Sequence, residues 1–279
     1  MLFQSGTVQR ISGNQLDVAS GRLTNGMQVI TDALAASCPE DSISLATTVT
    51  SIDTVIESTA ANPARGDRLI VRTDSASIEA THVVLAVPPA LALATIDFGD
   101  DARESLGDHV AAVAATTPVW MGSTVKIVAV YERAFWRDAG LAGAVFSHDG
   151  PMREIHDMSG PNATPAALFG FCSIPPGEPA PTEQQARDQL EALFGADGAA
   201  ATEIHIQDWR SEVHTSHRAT LELRNYETYG HRIFQAPAMQ GRLHWASTET
   251  SPIAPGHVEG ALVAGTRAAD AILANLRSG

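Results

Sequence analysis

The 279 residues carry a formal charge of −14 and 44% hydrophobic side chains, enough apolar material for a proper core in one large domain or two. That charge excludes nucleic acid and anionic membrane surfaces as partners, because both require positive surface. No apolar run reaches the roughly 18–20 residues that span a bilayer, and two distant cysteines, Cys38 and Cys172, argue against a disulfide framework or metal site and for a reducing cytoplasm.

In chain order, residues 1–25 are polar and glycine-dotted and lack the basic-then-apolar order of a signal peptide. A turn at Asn25-Gly26 predicts an amphipathic helix with Met27, Ile30, Leu34 and Ala35 on one face. Two β-branched stretches follow, separated by AANPARGD, which reads as a hairpin connection. The second ends in THVVLAVPP, a strand that Pro88-Pro89 must terminate. Residues 100–118 read as one helix stopped before Pro118.

The strand MGSTVKIVAVY comes next and holds Lys126, the single lysine among 18 basic residues. An arginine bias explains the other 17 without explaining why the one lysine lies in an apolar strand. Alternation sets Lys126 on the face of Thr124, Val128 and Val130. Pattern alone leaves open an edge position or a snorkelling side chain.

Two further segments, AGAVFSHDGPMREIHDMSGP and ALFGFCSIPPG, predict strands of an antiparallel sheet. PTEQQARDQLEALFGA is an amphipathic helix, started by Pro181-Thr182 and stopped by Gly195. EIHIQDWRSEVHTS reads as a strand carrying Trp209. The chain closes with a short apolar-aromatic strand from Leu243 to Ala246, a break at Ser-Thr-Glu-Thr, and a small-residue helix from about Gly256. A strand followed by a helix N-terminus can seat an anion on N–H groups and dipole. Ala261, Ala264, Gly265, Ala268 and Ala269 keep one helix face thin. Composition alone is served equally well by a plain C-terminal helix on a sheet edge.

The C-terminal residues WASTET, HVEGA and LVAGTRAADAIL closely resemble the flavin motif of the flavin-containing amine oxidase family: (F/W)AGTET, a loop, G-(Y/H)-x-E-G-A, then a small-residue helix. Other matches run along the chain. Gly26, Gln28 and Ile30 fit R-x-x-G-G-x-Q-x-(I/L); Gly122, Ser123 and Lys126, with Tyr131, Phe135 and Trp136, fit G-S-x-x-K, an aromatic and F-W. Asp208, Trp209 and Glu212 fit D-W-x-x-E, and DGPMREIHDMSGP is similar to a stretch common in bacterial monoamine-oxidase-like proteins.

This resemblance implies an α/β (α+β) chain. An incomplete FAD-binding domain of the amine oxidase type (residues 1–118 and 216–279) would be interleaved with a substrate domain (119–215) on an antiparallel sheet. It implies oxidation of a primary or secondary amine, or an amino acid, with O2 as acceptor, giving an imine and hydrogen peroxide. Lys126 would hold a water at flavin N5, Val49 would recognise the adenine through its backbone, and Trp209 would pack by the flavin ring. Ser247 and Thr248 would face the ribityl-pyrophosphate, with Ser247 in place of the usual glycine. The helix start at Gly256, His257 and Val258 would stabilise negative charge at flavin N1/O2.

Two departures shape the expectations. No G-x-G-x-x-G turn with a later acidic residue is present. A fragment, one subunit of a split enzyme whose partner chain supplies that module, or a degenerate, non-catalytic subunit are the resulting alternatives. After Trp209 no flavin-linking cysteine occurs, so any FAD is non-covalent; Ala219 and His257 stand where the family often has cage tyrosines. With Arg218, His257 then suggests a more polar cavity, suited to a carboxylated or polyamine substrate. His214 and His217 lack a third ligand for a metal, and no hydrolase elbow or Walker lysine occurs.

Overall fold

The computed structural model describes residues 2–4, 7–9, 23, 25–55, 68–175, 177–217 and 225–278. Its elements in order are β1 (Leu2–Gln4), β2 (Thr7–Gln9), α1 (Gln28–Ser37), β3 (Val49–Val55), β4 (Arg68–Thr73), β5 (Ser77–Ala80) and β6 (Val83–Leu85). Then come α2 (Pro89–Thr95), β7 (Asp97–Phe98), α3 (Asp100–Leu106), α4 (Asp108–Thr116), β8 (Thr124–Tyr131), α5 (Phe135–Asp138), β9 (Val145–Phe146) and β10 (Met152–Asp157). The last are β11 (Ala166–Ser173), α6 (Glu183–Phe194), α7 (Ala196–Ala199), β12 (Glu203–Asp208), β13 (Leu243–Trp245) and α8 (Val258–Ser278). Two compact units result: Met1–Ser44 with Ser123–Trp209, and Leu45–Gly122 with Arg210–Gly279.

The first unit is built on an antiparallel sheet of order β12-β8-β11-β10-β9. Alternation along β8 sends Val125, Ile127, Ala129 and Tyr131 into a core shared with Ile155, Leu168, Cys172 and, from α6, Ala186 and Leu190. A capping box between Thr182 and Gln185 starts α6, and Gly195, at φ 76°, stops it. The α6 residue Gln189 is buried and accepts from Met152 N–H while donating to the Asp149 and Met152 carbonyls. A bulge between Met152 and Glu154 breaks the β10 register. It lets Met152 and Ile155, three apart, both enter the core, and leaves Glu154 on the opposite face with His156. None of α1's residues is buried: its expected apolar face, from Met27 to Leu34, stays open.

In the second unit β5-β4-β3-β7 form one sheet, and β13 pairs in parallel with β6. Ile52, Leu69, Phe98, Leu106, Phe234, Leu243 and Trp245 share its core. The single helix expected over 100–118 is two, because Gly107 adopts φ 84° and interrupts the ladder between α3 and α4. The strand expected up to Pro88 stops at Leu85, and its Val84 is exposed. Pro89 opens α2, where its fixed φ and missing N–H cost nothing.

Asp157 ties the first unit together. Burial alone would raise its pKa, but hydrogen bonds from Arg137 Nε (2.6 Å), Trp136 Nε1 (2.8 Å) and Ser159 N–H (2.9 Å) lower it from 3.8 to about 2. A depressed folded-state pKa contributes stability that is present above the unfolded value and lost as pH falls through the folded one. The increment is about 2 kcal/mol and is lost between about pH 4 and pH 2. Urea midpoints for Asp157→Asn should therefore fall below wild type at about pH 6, with the gap narrowing toward about pH 3.

Candidate functional site

Lys126 lies on an interior strand of the sheet, between Phe171 on β11 and Gln207 on the edge strand β12. Its Nζ stands 5.3 Å from the Trp209 ring centroid and 5.8 Å from that of Phe171. Both rings offer it their π electrons at cation–π range. Partial burial lowers the Lys126 pKa from its ordinary value. Trp209 is not a strand residue as expected: it opens a 3-10 turn directly after β12. Its Nε1 is buried with no partner among the described residues. A half-buried lysine between two aromatic rings is chemically competent to hold a water or polarise a small electron acceptor.

The second cluster belongs to the other unit. After β13 the chain turns through Ser247, Thr248, Glu249 and Thr250, the last three a 3-10 turn, and all but Thr248 are buried. Ser247 Oγ and Glu249 Oε2 are buried without a well-formed hydrogen bond to any described residue. Burial pushes the Glu249 carboxyl up from its ordinary range, and its own backbone N–H and the neighbouring Ser247 hydroxyl act against that rise. Thr248 Oγ1 donates to the His257 carbonyl at 2.7 Å. Gly260, in the first turn of α8, makes that approach possible: a Cβ there would stand 2.4 Å from the Ala254 carbonyl oxygen and 2.7 Å from Thr248 Oγ1. The helix begins at Val258 rather than Gly256, since Gly256 holds φ 80° in the preceding turn. His257 N–H donates to Ala254 at 3.2 Å, and its Nδ1 lies 3.1 Å from the Pro255 carbonyl. Val258, as first helical residue, has no intrahelical acceptor for its N–H. Val49, at the start of β3, is half-buried against the core of this unit. Arg218 and Ala219 lie outside the described residues.

Arg267 of α8 holds the turn in shape, and the motif gave no hint of it. Its guanidinium donates to the Trp245 carbonyl (2.6 Å), the Thr250 carbonyl (3.2 Å), Thr250 Oγ1 (3.3 Å) and Gln235 Oε1 (2.7 Å). Its role is tertiary: an arginine in a helix does not reveal which carbonyls it will reach. Glu249 was legible as part of the motif but carried no sign that its carboxylate would be buried.

Two features of this turn fit a polyhydroxylated, anionic cofactor. Buried, unpartnered polar atoms of Ser247 and Glu249 are poised for hydroxyl groups, and a helix N-terminus follows. The comparisons with known proteins decide the family: residues 3–273 match the model for flavin containing amine oxidoreductase. The chain belongs to this family. Putrescine oxidase of Kocuria rosea is 29% identical over 264 residues, covering 90% of this chain and 52% of that protein. The flavin-containing amine oxidase B of Sus scrofa is 27% identical over 220 residues, 75% of this chain and 40% of its own. The chain thus spans about half the length of the curated relatives it matches. The structure of a putrescine oxidase superposes with a TM-score of 0.70 at 24% identity, over 90% of this chain and 53% of that one. Cyclohexylamine oxidase from Brevibacterium oxydans gives 0.61 at 24% identity, over 82% and 48%. At that identity the likeness shows the fold alone: about half of an amine oxidase fold of mixed α/β type.

Replacing Arg267 by Gln removes the donors to Trp245 and Thr250 and leaves buried carbonyls unpaired. A loss of about 2 kcal/mol is expected, read as a lower thermal midpoint, with Arg267→Lys recovering only part of it because one ammonium cannot span the same acceptors.

Proposed function

We propose that this chain carries the catalytic and flavin-facing part of an FAD-dependent amine oxidase, binding FAD without a covalent link. The carrying observation is the Ser247–Thr250 turn, which buries Ser247 Oγ and Glu249 Oε2 together, without a well-formed hydrogen bond to any described residue, just ahead of the α8 N-terminus. When bound, the flavin would take a hydride equivalent from the carbon beside an amine nitrogen and pass two electrons to O2, yielding hydrogen peroxide. Ser247 and Glu249 would hold hydroxyl groups of the cofactor. The N–H of Val258 and the helix dipole behind it would favour negative charge on the ring, and Gly256 with His257 would set that helix start. Val49 would contact the adenine through its backbone. Trp209 would pack against the ring, and Lys126 Nζ would donate to a water that hands protons to reduced oxygen. The substrate is a primary or secondary amine, or an amino acid; His257 and Arg218 are the polar residues assigned to its cavity.

The adenosine diphosphate half of FAD needs a glycine-rich turn that these 279 residues do not contain. We assign it to a dinucleotide-binding module outside this sequence, on the same polypeptide or on a partner chain. Val258, Leu262, Leu273 and Leu276 favour such a neighbour, since they expose one apolar stripe along α8. A non-catalytic, partner-binding subunit is the rival reading, favoured by the same stripe. No described helix is long and apolar enough to cross a membrane. From the two free cysteines, Cys38 and Cys172, we place the protein in the cytoplasm.

The test is anaerobic mixing of FAD-loaded protein with primary and secondary amines, followed by air. Bleaching of the flavin by an amine and peroxide on reoxidation are expected. Lys126→Met should leave bleaching measurable and slow reoxidation by about tenfold or more. A flavin that no amine bleaches would favour the rival reading, and unchanged reoxidation in Lys126→Met would remove the lysine from the mechanism.

A further inference from the structure

The second unit holds a small cavity of about 10 Å³ beside α8, lined by His244 and Trp245 of β13, by Gln235 and by Arg267 of α8, with Phe234 and Ala268 closing it. Its polar lining is short of acceptors. Trp245 is 1% exposed, and its Nε1, which can only donate, is buried without a hydrogen-bond partner among the described residues. His244 is 3% exposed, and its Nε2 is likewise buried without a well-formed hydrogen bond to any described residue. Gln235 has both ends of its amide spent: Nε2 donates to the Thr250 carbonyl at 2.8 Å, and Oε1 accepts from Arg267 at 2.7 Å.

Charge points the same way. The acceptors of Arg267 are two carbonyls, a hydroxyl and an amide, so no carboxylate offsets its half-buried guanidinium. The groups acting on His244 bring no carboxylate either. Burial lowers its pKa first, His82, with ring centroids 5.7 Å apart, and Arg267 add to the fall, and the Gly241 carbonyl opposes it. Burial and then Arg242 lower the pKa of His82 in turn. An acceptor that is negatively charged and has no protons of its own would answer indole, imidazole and guanidinium together. A water would have to turn its hydrogens away from Trp245 and Arg267, which only donate. Room for about one water molecule excludes carboxylates and phosphates and leaves a monatomic anion.

We propose that this cavity is a halide site, in which Arg267, Trp245 Nε1 and His244 hold a chloride-sized anion. Arg267 also pairs the Trp245 and Thr250 carbonyls, so the anion would steady the residue that shapes the Ser247–Thr250 turn. The site needs neither flavin nor amine. The test follows the thermal midpoint of the purified chain in sodium bromide and in sodium gluconate at equal ionic strength, gluconate being too large to enter. Near about pH 6, bromide at roughly ten times its dissociation constant should raise the midpoint by about 4 °C over gluconate. A bound anion favours the imidazolium form of His244, so binding takes up a proton, and the gain should shrink as pH rises from about 6 to about 8. Trp245→Phe keeps a ring against Phe234 but removes the donor, and should lose most of the gain. His244→Leu should lose part of the gain and all of its pH dependence, and it decides the matter alone if Trp245→Phe does not fold. Equal midpoints of wild type in the two salts overturn the proposal in favour of a buried water. A gain of wild-type size and pH dependence in the variants that fold places the halide elsewhere and overturns it too.

Discussion

Alternation along β8 is the constraint on which the first unit depends. One strand has to serve two faces: Val125, Ile127, Ala129 and Tyr131 anchor the core against α6, while Lys126 is displayed on the other side. A one-residue slip would bury the ammonium among apolar side chains and expose the core residues. The eight-residue register with β11 and the six-residue register with β12 hold that choice from both sides. The same pleat then determines which residues accompany the lysine, and the bulge in β10 changes that set at one position.

The second unit solves a different problem, that of keeping a polar turn buried. Such a turn is costly unless each group is paired. Arg267 reaches back from α8 to pair the Trp245 and Thr250 carbonyls, and Thr248 uses its hydroxyl on His257. What remains unpartnered is confined to a few side chains, Ser247 and Glu249 among them. A fold that pairs these carbonyls and leaves these side chains open is consistent with a ligand completing the set.

Much of this was legible in the sequence where local chemistry decides the outcome. The α6 cap at Thr182, its stop at Gly195 and the lysine strand all follow from residue type and period. The family followed from spacing in the C-terminal motif, which no local propensity explains. What was not legible depended on partners. Gly107 sits between Leu106 and Asp108 in a helix-compatible run and breaks the helix through its positive φ. Residue periodicity cannot show a bulge, because a bulge is a mismatch with β11. The α1 pattern gave an apolar face, yet periodicity states only what a helix could cover and not whether a neighbour is there. Arg267 was invisible for the same reason.

The central claim is that the Ser247–Thr250 turn and the start of α8 form a flavin-facing site. Incubating the purified chain with FAD, desalting it and recording its visible spectrum tests this most directly, with Glu249→Ala and Gly260→Val alongside. The account predicts oxidised-flavin bands that stay with the wild-type protein and are lost or weakened in both variants, because one removes a buried polar group and the other fills the cradle at Thr248. A wild-type protein that emerges colourless, or bands that persist equally in both variants, would contradict it.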